Sequence, residues 1–347
     1  MQQLKECLKS IGLVKRLIRS YPYVYFRDVK NIHKICQRMG RTPSHSLVKD
    51  MVDMHRLHEV PYDEFFLFNF DKNDNEEYRA SFITDIERVK YANALNNPDN
   101  DTIYYDKGKT YTVYQQYYLR DVLRLDSLDR FSQFESFVKK HNRFICKPID
   151  GGCGVGIQIL SIDEHSNLRS VFDSLIEQYQ YKCIIEELIQ QVPELSELHP
   201  DSINTMRMPT IRTDNGVMLL HPFLRIGRGG NITDNAGSGG IFCCVDINTG
   251  KVFTATDEFD NSYEIHPDTG KQLIGFQVPE WKAAVELVKK LALIVPDNRY
   301  CGWDLALTEK GWDLVEANAK GQFIWQYGTK IGFKEELEMI FKDIDFR

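Results

Sequence analysis

The sequence predicts an α+β fold split over two or three subdomains, with a helical stretch at its N-terminus. Three observations predict it. Residues 1 to about 80 are polar and helix-patterned, with few strand signals. From about residue 143 onward, short β-rich runs alternate with glycine turns. The 347 residues are 42% hydrophobic and 12% aromatic, enough for a core larger than one subdomain needs.

The first stretch opens with a basic amphipathic segment carrying Lys5, Lys9, Lys15, Arg16 and Arg19. It lacks the apolar centre of a secretory signal and reads as a surface helix, with a peripheral membrane contact as the alternative. His55, His58 and Glu59 follow in an order that is not a zinc-protease pattern, so they read as a solvated helix face. Residues 81 to about 140 are rich in Tyr and charge. They contain a turn at Asp106-Lys107-Gly108-Lys109, a helical run to Leu125, and an amphipathic helix through Phe131, Phe134, Phe137 and Val138.

Then the pattern changes. Arg143 to Ile149 reads as a strand, Asp150 to Gly156 as a glycine-rich turn, and Ile157 to Ile162 as a second strand. Asn167 to Gln180 fits a helix and Cys183 to Ile189 a third strand. Asn204 to Thr213 and Val217 to Arg228 flank an Asp214-Asn215-Gly216 hairpin signal. Gly240 to Asn248 and Val252 to Thr256 flank another turn at Thr249-Gly250. The apolar spacing in Pro279 to Val295 marks a helix face. Cys301 to Thr308 and Trp312 to Ala319 form a last hairpin, and Phe333 to Ile344 a closing helix.

Composition excludes several functions. A formal net charge of -7 disfavours nucleic acid and anionic membranes, which need a basic surface. No run of about 18 apolar residues is present, so no membrane span is expected. Eight scattered cysteines without a CxxC pair read as buried thiols of a reducing cytosol, and a cytoplasmic location follows as the expectation.

Two segments carry chemistry. In KPIDGGCGVGI, Gly151, Gly152, Gly154 and Gly156 weaken a strand, and they make sense where backbone must bend and approach a ligand. Converging N–H groups there make an anion site, and Lys147 adds a fixed charge. The pattern is neither a P-loop nor a dinucleotide fingerprint. The bland alternative is a hairpin without a ligand. In the last hairpin, Glu316 and Asn318 share a strand face, and Asp304 on the paired strand reaches the same place. Two carboxylates and an amide oxygen suit Mg²⁺. The bland alternative is a solvent-facing edge hairpin.

The order of these motifs resembles the ATP-grasp superfamily (the fold of D-alanine–D-alanine ligase and glutathione synthetase). It is most similar to the sugar-transfer-associated ATP-grasp family, through EELIQQVPELSELHPDSINTMRMPTIRT, FLRIGRGGNITDNAGSGGI and GWDLALTEKGWDLVEANAKGQF. The resemblance implies two α+β lobes clamping ATP: a helical extension over 1–80, a small lobe over 81–185, and a large lobe with the metal site over 186–347. It implies that Lys147 contacts phosphates, that Gly151 to Gly156 cover them, and that Glu186, Glu187 and Leu188 hold adenine. Lys109, with Lys107 as rival, is the expected upstream lysine. Asp304, Glu316 and Asn318 are the implied Mg²⁺ ligands.

Such ligases often carry an arginine two residues before the first metal carboxylate. Arg207 and Arg225 are the candidates for charge stabilisation; Gly302 stands at that position, so Arg225 and Arg228 are the candidate replacements, with an ordinary surface salt bridge as the alternative. Asn231, Asp234 and Asn235 are expected in a substrate-side loop. The implied activity is a carboxylate–amine ligase working through an acyl phosphate on small-molecule substrates, in polysaccharide or glycoconjugate assembly. A hydroxyl kinase with Asp234 as base and a non-catalytic nucleotide module are the rivals. Residues 1–80 are open between an acceptor platform, a homodimer contact and a membrane-proximal helix.

Overall fold

The computed structural model describes residues 26–151 and 154–344. The basic N-terminal segment and Gly152 lie outside the described residues.

Two antiparallel sheets organise the chain. The small one has strands Val122–Leu125 (β1), Arg143–Pro148 (β2), Gln158–Ser161 (β3) and Cys183–Glu187 (β4), in the order β1-β4-β2-β3. Strand alternation gives it two different faces. Phe144, Cys146, Cys183 and Ile185 pack under the helices Phe131–Lys140 and Leu168–Gln178. Ile145, Lys147, Ile159 and Glu186 point the other way, into a cleft.

The large sheet comprises Met206–Thr213 (β5), Gly216–Leu219 (β6), Phe223–Ile226 (β7), Ile241–Val245 (β8), Val252–Thr256 (β9), Tyr300–Thr308 (β10) and Gly311–Asn318 (β11). Its path is β11-β10-β5-β7-β8-β9, with β6 on β5. Trp303, Leu305, Leu307 and Leu314 face a core shared with Ala284, Val288 and Leu291 of the helix Trp281–Leu291. One irregularity shapes the site. Asp304 pairs with Glu316 but Leu305 pairs with Leu314, so β11 holds one extra residue, Val315. This bulge puts Asp313, paired with Ala306, on the same face as Glu316. Without it, residues three apart would face opposite ways.

The helical part of the N-terminal stretch includes Phe26–Arg38 and His45–His58 and closes its own cluster around Met51, Phe65, Phe66 and Phe68. It meets the large lobe where Phe68 contacts Tyr327, ring centroids 5.6 Å apart.

Several sequence expectations are corrected here. The helical run to Leu125 stops at Tyr117, because Val122–Leu125 pairs with β4. Asp106 to Lys109 is no free turn: Asp106 Oδ1 accepts the Gly108 and Lys109 N–H groups at 2.9 and 3.1 Å, capping the helix Lys107–Tyr114. The strand expected over Val217 to Arg228 is two strands separated at Leu220-His221-Pro222. Residues from Ile83 to Tyr114, expected in the small lobe, pack on the large sheet. Ile83, Ala92 and Leu95 join the Tyr300 cluster, and Tyr104 and Tyr114 join the Trp303 core.

Candidate functional site

The cleft between the two sheets gathers most of the residues singled out by the sequence. Its walls include Lys147, Gly151, Gly154, Glu186, Glu187, Leu188, Arg225, Asp304 and Glu316. Tyr118, Ile145, Ile159, Leu188, Ile189 and Val315 form its apolar part.

On the small-lobe wall, Lys147 and Glu186 sit diagonally on neighbouring strands: Lys147 pairs with Ile184, and Glu186 with Ile145. Lys147 Nζ donates to Glu186 Oε2 at 2.9 Å. The same oxygen accepts from Arg120 Nε at 2.9 Å, and Arg120 Nη1 donates to Asp313 Oδ1 at 2.6 Å. Glu186 is 3% exposed, a costly place for a carboxylate without cations. Burial pushes its pKa up, but the Arg120 and Lys147 charges outweigh burial and hold it down to about 2. Its carboxylate is thereby tied to Lys147, while Glu186 lines the cleft beside Glu187 and Leu188. Glu187 is committed too: its Oε2 accepts the Asp121 N–H at 3.0 Å, beside the His141–Asp121 pair at 2.8 Å.

The glycine loop closes over this wall. Gly151, Gly154 and Gly156 adopt φ of +106°, +77° and +76°, which favour glycine. Gly154 also passes so close to the large lobe that a Cβ would stand 2.9 Å from Thr233 Cγ2. Lys107 Nζ donates to Gly151 O at 2.7 Å and lies 4.0 Å from Glu316 Oε1. Lys109 is exposed and does not line the cleft, so of the two rivals Lys107 is the one at the site. The cause is the helix cap: it turns residue 107 inward and residue 109 outward.

On the large-lobe wall, Arg207 lies opposite Asp304 on adjacent strands. Arg207 Nε donates to Asp304 Oδ1, and its Nη2 donates to Oδ2 at 2.8 Å. Arg225 Nη2 approaches Oδ2 at 2.8 Å from β7. Asp304 is 1% exposed; burial raises its pKa, and the two guanidinium charges outweigh burial and lower it. Gly302 fits this arrangement. A Cβ there would stand 3.2 Å from Arg207 Cδ, so the glycine leaves room for an arginine arriving from the neighbouring strand. Arg228 pairs instead with Asp257 at 3.1 Å and Tyr263, outside the cleft. Arg207 lies behind Asp304 and does not line the cleft.

The donors expected for Mg²⁺ fit a hard cation unequally. Asp304 and Glu316 face each other across the hairpin and both line the cleft. Asn318, opposite Gly302, sits farther back with its Nδ2 3.5 Å from Asp304 Oδ2. Glu316, with 37% of its side chain exposed, is the oxygen donor most open to the cleft. Asp234 accepts from the Thr205 N–H at 3.0 Å and from the Thr205 hydroxyl, and lies 3.5 Å from Arg225 Nε. Asn231 ties its own loop through Arg228 O and Ser238 O, while Asn235 lines the cleft.

Sequence reasoning missed Arg120, Asp313 and Thr205. Arg120 stands in no motif, and Asp313 reaches it only through the bulge.

Fold and site together define a two-lobed α+β clamp, with a cleft-facing cation on a buried carboxylate in each wall and the carboxylate hairpin in the larger one. The chain belongs to the sugar-transfer associated ATP-grasp family, whose model matches residues 87–342. No curated protein matches the sequence. Among solved structures the chain is similar to D-alanyl-alanine synthetase A from Vibrio cholerae, at 10% identity over 71% of this chain and 62% of that one, with a TM-score of 0.41. It is also similar to N5-carboxyaminoimidazole synthetase from Staphylococcus aureus complexed with ADP (11%, 72% and 55%, 0.46). A third is D-alanine-D-alanine ligase from Helicobacter pylori (15%, 72% and 64%, 0.44). The chain therefore spans 55 to 64% of the length of these three structures. Among the described residues, no helix is long and apolar enough to cross a membrane.

Proposed function

We propose that this protein is a Mg²⁺-dependent, ATP-using carboxylate–amine ligase that works through an acyl phosphate. The observation that carries the reading is the pair of cleft-facing cations. Lys147 and Arg225 stand on opposite walls, each fixed to a buried carboxylate. Fixed charge of this kind stabilises phosphoryl transfer without reorganising during the reaction.

The residues divide the work as follows. The apolar part of the cleft, with Tyr118 and Leu188, takes the adenine. Lys147 spends one donor on Glu186, and an ammonium has three, so two remain for phosphate oxygens. Lys107 and the glycine loop cover the same phosphates. Asp304, Glu316 and Asn318 are the residues that would hold Mg²⁺, which would supply neutralising charge for the phosphates. A carboxylate oxygen of the substrate attacks the γ-phosphorus, the bond to the β-phosphate oxygen breaks, and ADP leaves. An amine then attacks the acyl carbon, the bond to phosphate breaks, and the amine proton passes to solvent. Arg225 lies where charge builds in the first step. The contact of Gly154 with Thr233 keeps water from the intermediate.

Asp234 favours this reading over a hydroxyl kinase. Its Oδ2 is already engaged by Thr205 and Arg225, so it is poorly placed to take a substrate proton. The family's sugar-transfer association supports a place in polysaccharide or glycoconjugate assembly, with an amino acid and a sugar acid as the substrate classes to try first.

The test combines Mg-ATP, hydroxylamine and pooled amino acids and sugar acids, with ADP, phosphate and hydroxamate measured together. The three products rising in step, and vanishing in Glu316→Gln, is the expected result. ADP without phosphate in the presence of hydroxyl acceptors would overturn the ligase in favour of a kinase.

A further inference from the structure

The chain crosses between the lobes twice, side by side. At the first crossing, the Leu119 N–H donates to Asp313 Oδ1 at 3.1 Å on the large lobe. Two residues later, Asp121 O accepts the Glu187 N–H at 2.9 Å on the small lobe. At the second crossing, just after β4, the Val192 N–H donates to Leu307 O at 3.1 Å. Arg120 lies on the first crossing, between Leu119 and Asp121.

Its guanidinium reaches both lobes. Nε bonds Glu186 on the small lobe at 2.9 Å, and Nη1 bonds Asp313 Oδ1 and Leu314 O on the large lobe at 2.6 and 2.9 Å. The ring of Tyr118, a cleft residue, covers the guanidinium at 4.7 Å. Lys147, Glu186, Arg120 and Asp313 thus form one chain of alternating charge, with two positive and two negative members, all buried. It runs from the phosphate side of the cleft to the hairpin that carries Glu316.

We propose that Arg120 is a positioning residue: it clasps the two lobes at their hinge and, through Glu186, sets where the Lys147 ammonium stands in the cleft. One guanidinium serves both carboxylates, so a change in lobe angle that moves Asp313 also moves the partner of Lys147. The clasp thereby links closure of the cleft to the placement of its phosphate lysine. A planar fork is required, because a lysine ammonium reaches one carboxylate as a point charge but not two on opposite sides. This inference rests on the proposed nucleotide site, which it extends to regulation by lobe closure.

Asp313 makes the test specific. It is buried, it binds Arg120 and the Leu119 N–H, and it does not line the cleft. An effect of Asp313→Asn on nucleotide must therefore pass through the hinge. Wild type, Arg120→Lys, Asp313→Asn and the double variant are compared by calorimetric titration with ATP in excess Mg²⁺. Amide hydrogen exchange is followed in the nucleotide-free proteins. Each single variant should weaken ATP binding by about tenfold or more, the scale of one lost charge-assisted bond. Each should also raise exchange in β4 while β8 and β9 stay protected. The double variant should bind no worse than the weaker single one, because both changes open the same clasp.

Wild-type ATP affinity in Asp313→Asn, or losses that simply add in the double variant, would overturn the proposal. If the wild type bound no ATP, the nucleotide reading would fall and the exchange data would decide the clasp alone: faster exchange in β4 for both singles sustains it, and unchanged exchange refutes it. If Arg120→Lys does not fold, the isosteric Asp313→Asn separates the same outcomes by itself.

Discussion

The two walls of the cleft solve one electrostatic problem with different materials. Each buries a carboxylate, Glu186 on the small lobe and Asp304 on the large, and each sets two cations on it. One cation of each pair faces the cleft, Lys147 or Arg225; the other, Arg120 or Arg207, stands behind. The difference lies in how the front cation is tied. Lys147 makes one bond to its carboxylate. Arg225 is pinned from two sides, to Asp304 and through Nε and Nη2 to the Thr205 hydroxyl at 3.0 and 2.6 Å. The small lobe therefore offers a charge with donors to spare, and the large lobe a charge with little freedom. The first suits phosphates that arrive and leave, the second a site where a reacting atom must be placed.

The back cations are the place to break this symmetry. Arg207→Met removes a guanidinium that shares a buried carboxylate and fills the space over Gly302. Loss of one partner from a buried ion pair costs about 3–5 kcal/mol, and Arg225 remains on Asp304, so the lower end applies, about 3 kcal/mol. Denaturant unfolding should show the midpoint falling by that equivalent with the slope unchanged. A midpoint like wild type's would mean that Arg225 alone compensates Asp304.

The front cations should behave oppositely, costing function more than stability. Lys147→Met leaves Glu186 with Arg120, so unfolding should shift by only about 1 kcal/mol. ATP-dependent turnover should fall by about 10²-fold, the loss usual for one fixed donor to a developing charge. Arg225→Met should lower kcat more than it raises the KM for ATP, because it stands at the reacting end. The reverse split would exchange the roles assigned to the two walls.

A third buried carboxylate sharpens the contrast because no cation among the described residues pairs with it. Glu64 accepts the Asp85 N–H at 3.1 and 3.0 Å and the Tyr327 hydroxyl at 2.6 Å, where the helical region meets the large lobe. Burial pushes its pKa up to about 8 despite these bonds. The folded protein then holds a proton that the unfolded chain releases above about 4.5. Stability from this group is full below that pH, declines as pH rises toward about 8, and is level beyond. Glu64→Gln should flatten this decline and gain about 3.5 kcal/mol on wild type between pH 5 and pH 8, read as melting temperature against pH. Glu186, held at about 2, should add no slope in that range.

These contrasts also show what a sequence can reveal. Front-row residues were legible because each stands in a local pattern: Lys147 before a glycine run, Asp304 and Glu316 on a hairpin with strand alternation. Back-row residues were less so. Arg207 was named only as a candidate charge, and its place over Gly302 depends on the pairing of β5 with β10, residues about a hundred apart in the chain. Arg120 falls between the end of a helix at Tyr117 and the start of β1 at Val122, where the sequence reads one continuous helical run. Asp313 shows the physical limit most clearly. Alternation alone assigns it to the face opposite Glu316, and one extra residue in β11 reverses that. The α+β fold and most of its strands were legible because hairpin turns and glycine breaks are local signals. The start of β1 was not, since only pairing with β4 makes that segment a strand.

The smallest predicted effect concerns the two lysines at the start of one helix. Lys107 and Lys109 lie two residues apart, with the same charge and length, and sequence alone ranked Lys109 first. The helix cap separates them: Asp106 binds the N–H groups of Gly108 and Lys109, and Lys107 turns to the glycine loop and Glu316. Lys107→Met should weaken ATP binding about tenfold by removing one charged donor near the phosphates, with little change in stability at a half-exposed site. Lys109→Met should bind ATP as wild type does. If the two variants weakened binding equally, the lysines would be acting through general charge rather than position, and salt would separate those cases. A loss that disappears at high ionic strength belongs to the surface field, and one that persists belongs to a contact inside the cleft.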